Sequence, residues 1–538
     1  GQPENANLYD ARNEIRALND AGISASAMDA FIEAQMDAVG MPGLSIAIIN
    51  DAKIVYHRTF GYKNAQEQTP VDENTTFEAA SMSKPILAVL AMHLVEAGKL
   101  DLDTPLHTYL PNYDLDYDER YRKITARMVL SHKTGMPNWR YENKGQYLNL
   151  RFDPGSQFSY SGEAFEYLGN VLAHIEGGTR KDLQQMIHER IFEPAGVQHG
   201  YYMWNAYLEE NKASGHITGM ANNRYQPQLP SMAGGLQINA TDFAAFMISL
   251  LKGTGLSPAT YDTLFSTQVR LPEDHVFVTN YDQHAWTLGF SEAPTPQGNI
   301  YGHGGNNGDF QAHFEFSREQ NFGYVFLTNS EVGEQFNFVL RPFLRTGSEE
   351  ASALYDTYEV VDRRISPYED DTHKGVELNA FPDDGFAWLR VEGFSTGTIE
   401  LDIKGANEPG ASFVGVAFRG ENENAFEGIY FRPFNFVAEG DRRNRMVQYH
   451  NLPDHSWRAL RGEFPGVYEG QIPNAPDPDG WFHARIEVGE EEISVYVDDN
   501  PEPVLVVNSL NERKDGKIGF WVGSNSSGRF ANLKITRD

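Results

Sequence analysis

Ser81-Met82-Ser83-Lys84 places a hydroxyl three residues ahead of an amine, a spacing that can make serine a nucleophile without help from histidine. Residues three apart share a helix face, so the Lys84 amine can reach the Ser81 hydroxyl. The chemistry this suggests is covalent acyl transfer. From Met82 to Ala97 the chain reads MSKPILAVLAMHLVEA, apolar on nearly every side, with Gly98 where a helix C-cap belongs. That pattern predicts a buried helix. Pro85 is tolerated only in a first turn, so the helix cannot begin much before Met82. Ser81 then sits at the N-terminal end, where the helix dipole and unpaired N–H groups favour an attacking oxygen or a developing oxyanion.

The same spacing recurs at Ser249-Leu250-Leu251-Lys252. This copy closes a helix expected to open on a Thr241 N-cap and to stop at Gly253, so its serine faces the wrong end of the dipole. No catalytic role is expected there.

A serine nucleophile also needs a base, an oxyanion hole and a proton donor for the leaving group. Three segments carry suitable groups. In FDPGSQFSYSG, residues 152–162, a Pro-Gly turn leads to Tyr160, an acid or base if a cation lowers its pKa. In Gly302-His303-Gly304-Gly305-Asn306, glycines bracket a histidine and leave bare backbone that a ligand could approach closely. The third is the loop Leu130-Ser131-His132-Lys133-Thr134-Gly135-Met136-Pro137. Taken singly, each has an ordinary structural explanation: a core tyrosine, a turn, a structural histidine.

The elements that must position these residues change character near residue 350. Before it, helices and strands mix. A helix is expected at Ala25 to Ala38, a hairpin at Leu44 to Ile49 and Ile54 to Tyr62, then the Ser81 helix and a helical middle. Two late strands, Phe310 to Phe316 and Phe322 to Thr328, follow. This is α+β, with an antiparallel sheet formed from both ends of the segment. Residues 1–24 read as an N-terminal extension, 25–345 as the α+β domain and 346–375, polar and charged, as a linker or crossover. Residues 376–538 hold almost only short strands, among them Phe386 to Val391, Thr398 to Ile403, Phe413 to Phe418, Phe482 to Val488, Ile493 to Val497 and Ile518 to Val522, which suits an all-β sandwich.

At 538 residues, two domains are the default expectation. The 75 acidic against 44 basic residues give a net charge of −31, spread over both halves, which argues against nucleic acid or an anionic membrane as partner. The chain has no cysteine, which excludes disulfides, thiolate metal sites and a cysteine nucleophile. No apolar run approaches the roughly twenty residues of a membrane span. The polar stretch from Gly1 through Asp10 reads as what remains after an export signal is removed, so a periplasmic or secreted location is expected. Metal motifs such as H-E-x-x-H are missing, and neither metal nor cofactor is expected.

Together these segments resemble the serine β-lactamase and penicillin-recognising hydrolase superfamily, especially class C-like enzymes, family VIII carboxylesterases and D-aminopeptidases. FEAASMSKPILAVLAMHLVEAGKLDLDTPL resembles its nucleophile helix, ITARMVLSHKTGMP its second signature and FDPGSQFSYSGEAFEYLG its tyrosine segment. SMAGGLQINATDFAAF resembles the start of a later helix, and GHGGNNGDFQAHF the third motif. A literal K-T-G, the usual third motif, occurs at Lys133-Thr134-Gly135, but it precedes Tyr160, whereas the family's third motif follows the tyrosine and opens a strand. The resemblance therefore points to His303-Gly304-Gly305, with Asn306 and Ser81 supplying the oxyanion N–H groups.

By that resemblance Lys84 or Tyr160 removes the Ser81 proton, Tyr160 passes a proton to the leaving group, and water releases the acyl-enzyme; lysine and tyrosine are coupled, and which one is the base stays open. His303 stands where lactamases carry lysine, which weakens an anchor for a substrate carboxylate and resembles the aminopeptidases. Gly162 stands where many members have asparagine, which tilts toward esters or a differently held peptide. The expected activity is serine hydrolysis of an amide or ester in a small or short-peptide substrate, leaning to a peptidase of aminopeptidase type. A carboxylesterase, a β-lactamase or DD-peptidase, and a non-catalytic binding protein are the alternatives. The C-terminal GKIGFWVGSNSSGRFANLKITRD resembles concanavalin- or laminin-G-like jelly rolls, and carbohydrate contact is possible there. Oligomeric state is not legible.

Overall fold

A computed structural model of the chain describes residues 14–538. It divides into two compact units: the chain up to Glu273 with Asp282–Gly347, and Asp274–Tyr281 with Ser348–Asp538.

The first unit is α+β. Its strands are labelled β1 (Gly43–Asn50), β2 (Lys53–Asn64), β3 (Phe77–Ala80), β4 (Leu236–Ile238), β5 (Gly298–Asn306), β6 (Gln311–Ser317) and β7 (Phe322–Thr328). Its principal helices are α1 (Ala25–Val39), α2 (Ser83–Glu96), α3 (Gly162–Ile175), α4 (Ala240–Leu251) and α5 (Gly333–Thr346). The main sheet has nine strands, in the order Val269–Arg270, Ala285–Trp286, Ser291–Thr295, β5, β6, β7, β1, β2, Thr69–Pro70. Antiparallel pairing of β7 with β1, Gly323 opposite Ile49 through Thr328 opposite Leu44, closes the early hairpin onto the late strands. β1, β6 and β7 are buried at every residue, because α4 packs on β1 and β7 while α5 packs on β6. A strand covered on both faces has no polar alternation to display.

α2 is likewise buried along most of its length and packs against α3. β3 and β4 form a separate two-stranded sheet whose register shifts between Glu78 and Ala80, directly before Ser81. α1 spans one residue more than expected, with the Ser24 hydroxyl accepting from Ala27 N–H. α4 opens on Asn239, not Thr241: the Asn239 side chain accepts from Asp242 N–H at 2.8 Å, and the Thr241 hydroxyl bonds His57 instead. Asparagine is an equally strong cap and comes two residues earlier, so the helix starts there.

Part of the presumed N-terminal extension is paired structure, because Glu14–Arg16 and Gly22–Ser24 form a hairpin and Leu18 N–H donates to the Leu344 carbonyl; the stretch through Asp10 lies outside the described residues. The presumed linker 346–375 contains a helix, Glu350–Thr357, and the strands Tyr358–Val361 and Ile365–Glu369. Tyr358–Val361 is half-exposed at every residue and Ile365–Glu369 buries only Ile365, so neither strand shows a clean two-residue apolar alternation.

The second unit is built on two seven-stranded sheets. Strands such as Gly397–Lys404 and Trp481–Val488 alternate buried with half-exposed residues, and their inward side chains, Ile399, Leu401, Ile403, Phe482, Ala484 and Ile486, share one core with Val416, Ile429 and Phe520 of the other sheet. That alternation is the pattern of a sandwich. The short helix Val276–Tyr281, far earlier in the chain, belongs to this unit.

Candidate active site

Ser81 lies in the turn between β3 and α2, half-buried, while Lys84 in the first turn of α2 is fully buried. Ala80 immediately before it holds φ +48, a left-handed conformation that alanine adopts only under constraint. The Ser83 hydroxyl donates to the Ala80 carbonyl at 2.6 Å and accepts from Leu236 N–H at 3.0 Å, so the second serine of the motif fastens this turn to β4.

The Lys84 amine is 3.1 Å from Ser81 Oγ and donates to the Ala233 carbonyl at 2.8 Å. Ala233 is held in turn: its N–H and the Ser231 hydroxyl both donate to Glu166 Oε1, at 2.8 and 2.6 Å. Burial lowers the Lys84 pKa from the usual 10.5 to about 7, with the Glu166 charge opposing. The amine is therefore neutral in a substantial fraction of molecules near neutral pH. Tyr160 also hydrogen-bonds Ser81, and its ring centroid is 4.7 Å from Lys84 Nζ. Burial raises the Tyr160 pKa well above that of an ordinary tyrosine, while the bond to Ser81 opposes. The phenol thus keeps its proton where the lysine can lose one.

Three aromatic groups enclose Tyr160. His132 stacks on it at 4.3 Å, Trp286 lies edge-on at 6.3 Å, and His303 sits 6.0 Å away. His132 Nδ1 accepts from Ser161 N–H at 3.0 Å, which leaves its hydrogen on Nε2. His303 Nδ1 donates to the Gly304 carbonyl at 2.6 Å, which leaves Nε2 as an acceptor with no partner among the described residues. Burial and nearby Lys84 push the His303 pKa down to about 3 and that of His132 well below its usual value, so both rings are neutral at physiological pH.

β5 brings its glycines against the nucleophile turn. A Cβ on Gly305 would stand 2.3 Å from the Ala79 carbonyl oxygen, so only glycine permits this approach. On the opposite side, Gly162 N–H donates to Asn138 Oδ1 at 2.8 Å, and a Cβ at 162 would lie 2.8 Å from Trp139 Cη2. The indole edge fills the space that a side chain at this position would need.

A family model described as Beta-lactamase matches residues 28–346, more than half of the chain. The chain belongs to the Beta-lactamase family. Among curated proteins it is similar to Protein flp of Staphylococcus aureus (strain MW2), 24% identical over 216 residues, covering 37% of this chain and 42% of that protein. It is also similar to the putative penicillin-binding protein PbpX of Bacillus subtilis (strain 168), 25% identical over 245 residues, covering 42% and 59%. The chain thus spans about half the length of these relatives. Among solved structures, the octameric penicillin-binding protein homologue from Pyrococcus abyssi shares the fold, with TM-score 0.55 and 16% identity over 89% of this chain and 99% of that one.

Members of the Beta-lactamase family are mostly serine hydrolases, and the geometry here brings the side chains of Ser81, Lys84, Tyr160 and His303 into one cluster. Lys133-Thr134-Gly135 lies in a loop whose Lys133 carbonyl accepts from Gly155 N–H, outside this cluster. The Asn306 side chain does not face the serine: Oδ1 accepts from Gly308 N–H and Nδ2 donates to Glu334. Sequence reasoning flagged the His132 loop without a role and missed Trp286 and the Ala233 carbonyl. A backbone carbonyl leaves no mark in residue type, and a lone tryptophan reads as core. Among the described residues no group of three or more His, Cys, Asp or Glu could hold a metal, and no helix is long and apolar enough to cross a membrane.

Proposed function

We propose that this Beta-lactamase-family chain is a serine hydrolase working through an acyl-enzyme on Ser81. The observation that carries the reading is the Lys84 amine at 3.1 Å from Ser81 Oγ, with its pKa brought to about 7. Neutral Lys84 takes the Ser81 proton as Oγ attacks the substrate carbonyl, the N–H groups of Ser81 and Asn306 stabilise the oxyanion, and Tyr160 relays a proton to the leaving group. Water then attacks the acyl-enzyme by the same route reversed, which releases the acid and restores Ser81. Lys84 is preferred over Tyr160 as the resting base because burial favours the neutral form of both, and a neutral amine accepts a proton while a neutral phenol donates one.

His303 at the third-motif position is neutral and offers no charge to a substrate carboxylate, which supports a small amide or short peptide over a classical β-lactam and agrees with the aminopeptidase leaning. Trp139 over Gly162 favours a second reading, a carboxylesterase, because the side chain that would bind a substrate amide has no room. Export to the periplasm or beyond, and carbohydrate contact by the β-sandwich, remain part of the proposal. A fluorophosphonate probe is expected to label wild-type protein on Ser81 and to leave Ser81→Ala unlabelled. Absence of any adduct, with no turnover of p-nitrophenyl esters or aminoacyl p-nitroanilides, would favour the non-catalytic alternative. The ratio of ester to anilide turnover, with nitrocefin as the β-lactam arm, assigns the substrate class.

A further inference from the structure

Lys212 is a buried ammonium that this mechanism does not use. Its Nζ lies 2.8 Å from Glu78 Oε2 and donates to the Tyr225 carbonyl at 2.9 Å. The ring centroids of Trp204, Tyr225 and Phe310 stand 5.9, 5.8 and 5.5 Å from it. Glu78 is also buried. A buried pair of this kind adds little stability over apolar replacements, so what it contributes is geometry.

The other carboxylate oxygen, Glu78 Oε1, accepts from Asn307 Nδ2 at 2.8 Å, and the same nitrogen lies 3.4 Å from the Gly234 carbonyl. Glu78 stands three residues before Ser81 on β3. Asn307 directly follows Asn306 at the end of β5, and Gly234 leads into β4. One carboxylate, fixed by one ammonium, thus ties the nucleophile strand to the segment carrying the second oxyanion donor. The backbone between them has little freedom: Gly305 abuts the Ala79 carbonyl, Ala80 is left-handed, and Asn307 N–H closes a turn on the Phe310 carbonyl at 2.9 Å.

We propose that Glu78, anchored by Lys212, is a positioning residue for the oxyanion pocket, holding the Asn306 backbone against Ser81 through Asn307. The proposal rests on the acyl-enzyme reading above. Oxyanion donors act only if they are in place before charge develops, and a displacement of about 1 Å can cost roughly 100-fold in rate.

Asn307 is exposed, so its variants should fold. With a p-nitrophenyl ester that the wild type hydrolyses, Asn307→Ala is expected to lower kcat about 10-fold with KM within about twofold, because the loop loses one tether. Asn307→Asp sets a carboxylate against Glu78 and should lose about 100-fold. The rate of Ser81 labelling by a fluorophosphonate should fall in the same ratio, while the acid limb of the pH profile stays near 7 because Lys84 is untouched. Glu78→Gln, which keeps an oxygen for Asn307, should lose less than Glu78→Ala. Unchanged kcat in both Asn307 variants, a lowered Tm with kcat intact, or a rise in KM alone would overturn the proposal while leaving the acyl-enzyme reading in place. A wild type that takes no label on Ser81 would overturn both.

Discussion

Ser81–Lys84 and Ser249–Lys252 have the same residue spacing and opposite surroundings. The first opens a buried helix, and its lysine amine, fully enclosed, reaches the serine hydroxyl at 3.1 Å. The second closes α4: Ser249 donates its hydroxyl to the Phe246 carbonyl at 2.6 Å, and Lys252 is an exposed C-cap residue. A serine bonded to its own helix and a hydrated lysine have no reason to exchange a proton. The spacing makes the contact possible, while helix position and burial decide whether it is chemistry.

Lys84→Met should lower kcat/KM by about 1,000-fold, within the range for losing a general base, whereas Lys252→Met should leave it within about twofold. Equal losses, measured as initial rates on one ester, would mean that the burial contrast is irrelevant.

The pH profile sharpens the same point. Lys84 is active when neutral, so kcat/KM should rise about tenfold per pH unit up to about 7 and level off above it, measured with an uncharged substrate. His303 near 3 and Tyr160 far above neutrality add no limb between. A plateau running unbroken down to pH 5 would remove Lys84 as the base.

Burial that tunes Lys84 must also show in stability. Its folded pKa lies below the unfolded value, so between about 7 and 10.5 the unfolded chain binds the extra proton. By linkage the protein gains stability as pH rises through that window. The Tm of the wild type relative to Lys84→Met should therefore climb from pH 7 to 10. The smallest effect is expected at Gly162→Ala, which forces the Trp139 edge aside: a few-fold change in the ratio of ester to amide turnover, reversed by adding Trp139→Leu.

Where the chain writes its structure in patterns, the sequence suffices. Pro85 and Gly98 bound α2 to within a residue or two, and the alternation of Gly397–Lys404 announces a half-buried strand. Ser81 and Lys84 stand out by their spacing at a helix start, whereas Tyr160 and His303, each ordinary when taken singly, stand out only by the order of their segments, which resembles that of the family. The His132 loop was visible without its purpose, since only folding stacks that ring on Tyr160. The Glu78, Asn307 and Lys212 network was invisible, because its members lie up to 229 positions apart and each is an ordinary residue where it stands. The edge strands at Tyr358–Val361 and Ile365–Glu369 left no clear pattern, for an edge meets solvent and of their residues only Ile365 is buried.

The contact between Trp139 and Gly162 bears on how such a chain can change by descent. Any side chain at 162 collides with the indole, so a mutation there is opposed while tryptophan remains at 139. A smaller residue at 139 opens the space without penalty at 162. An asparagine at 162 therefore needs either a smaller residue at 139 or an indole swung aside, so the cost of replacement at one site depends on what stands at the other.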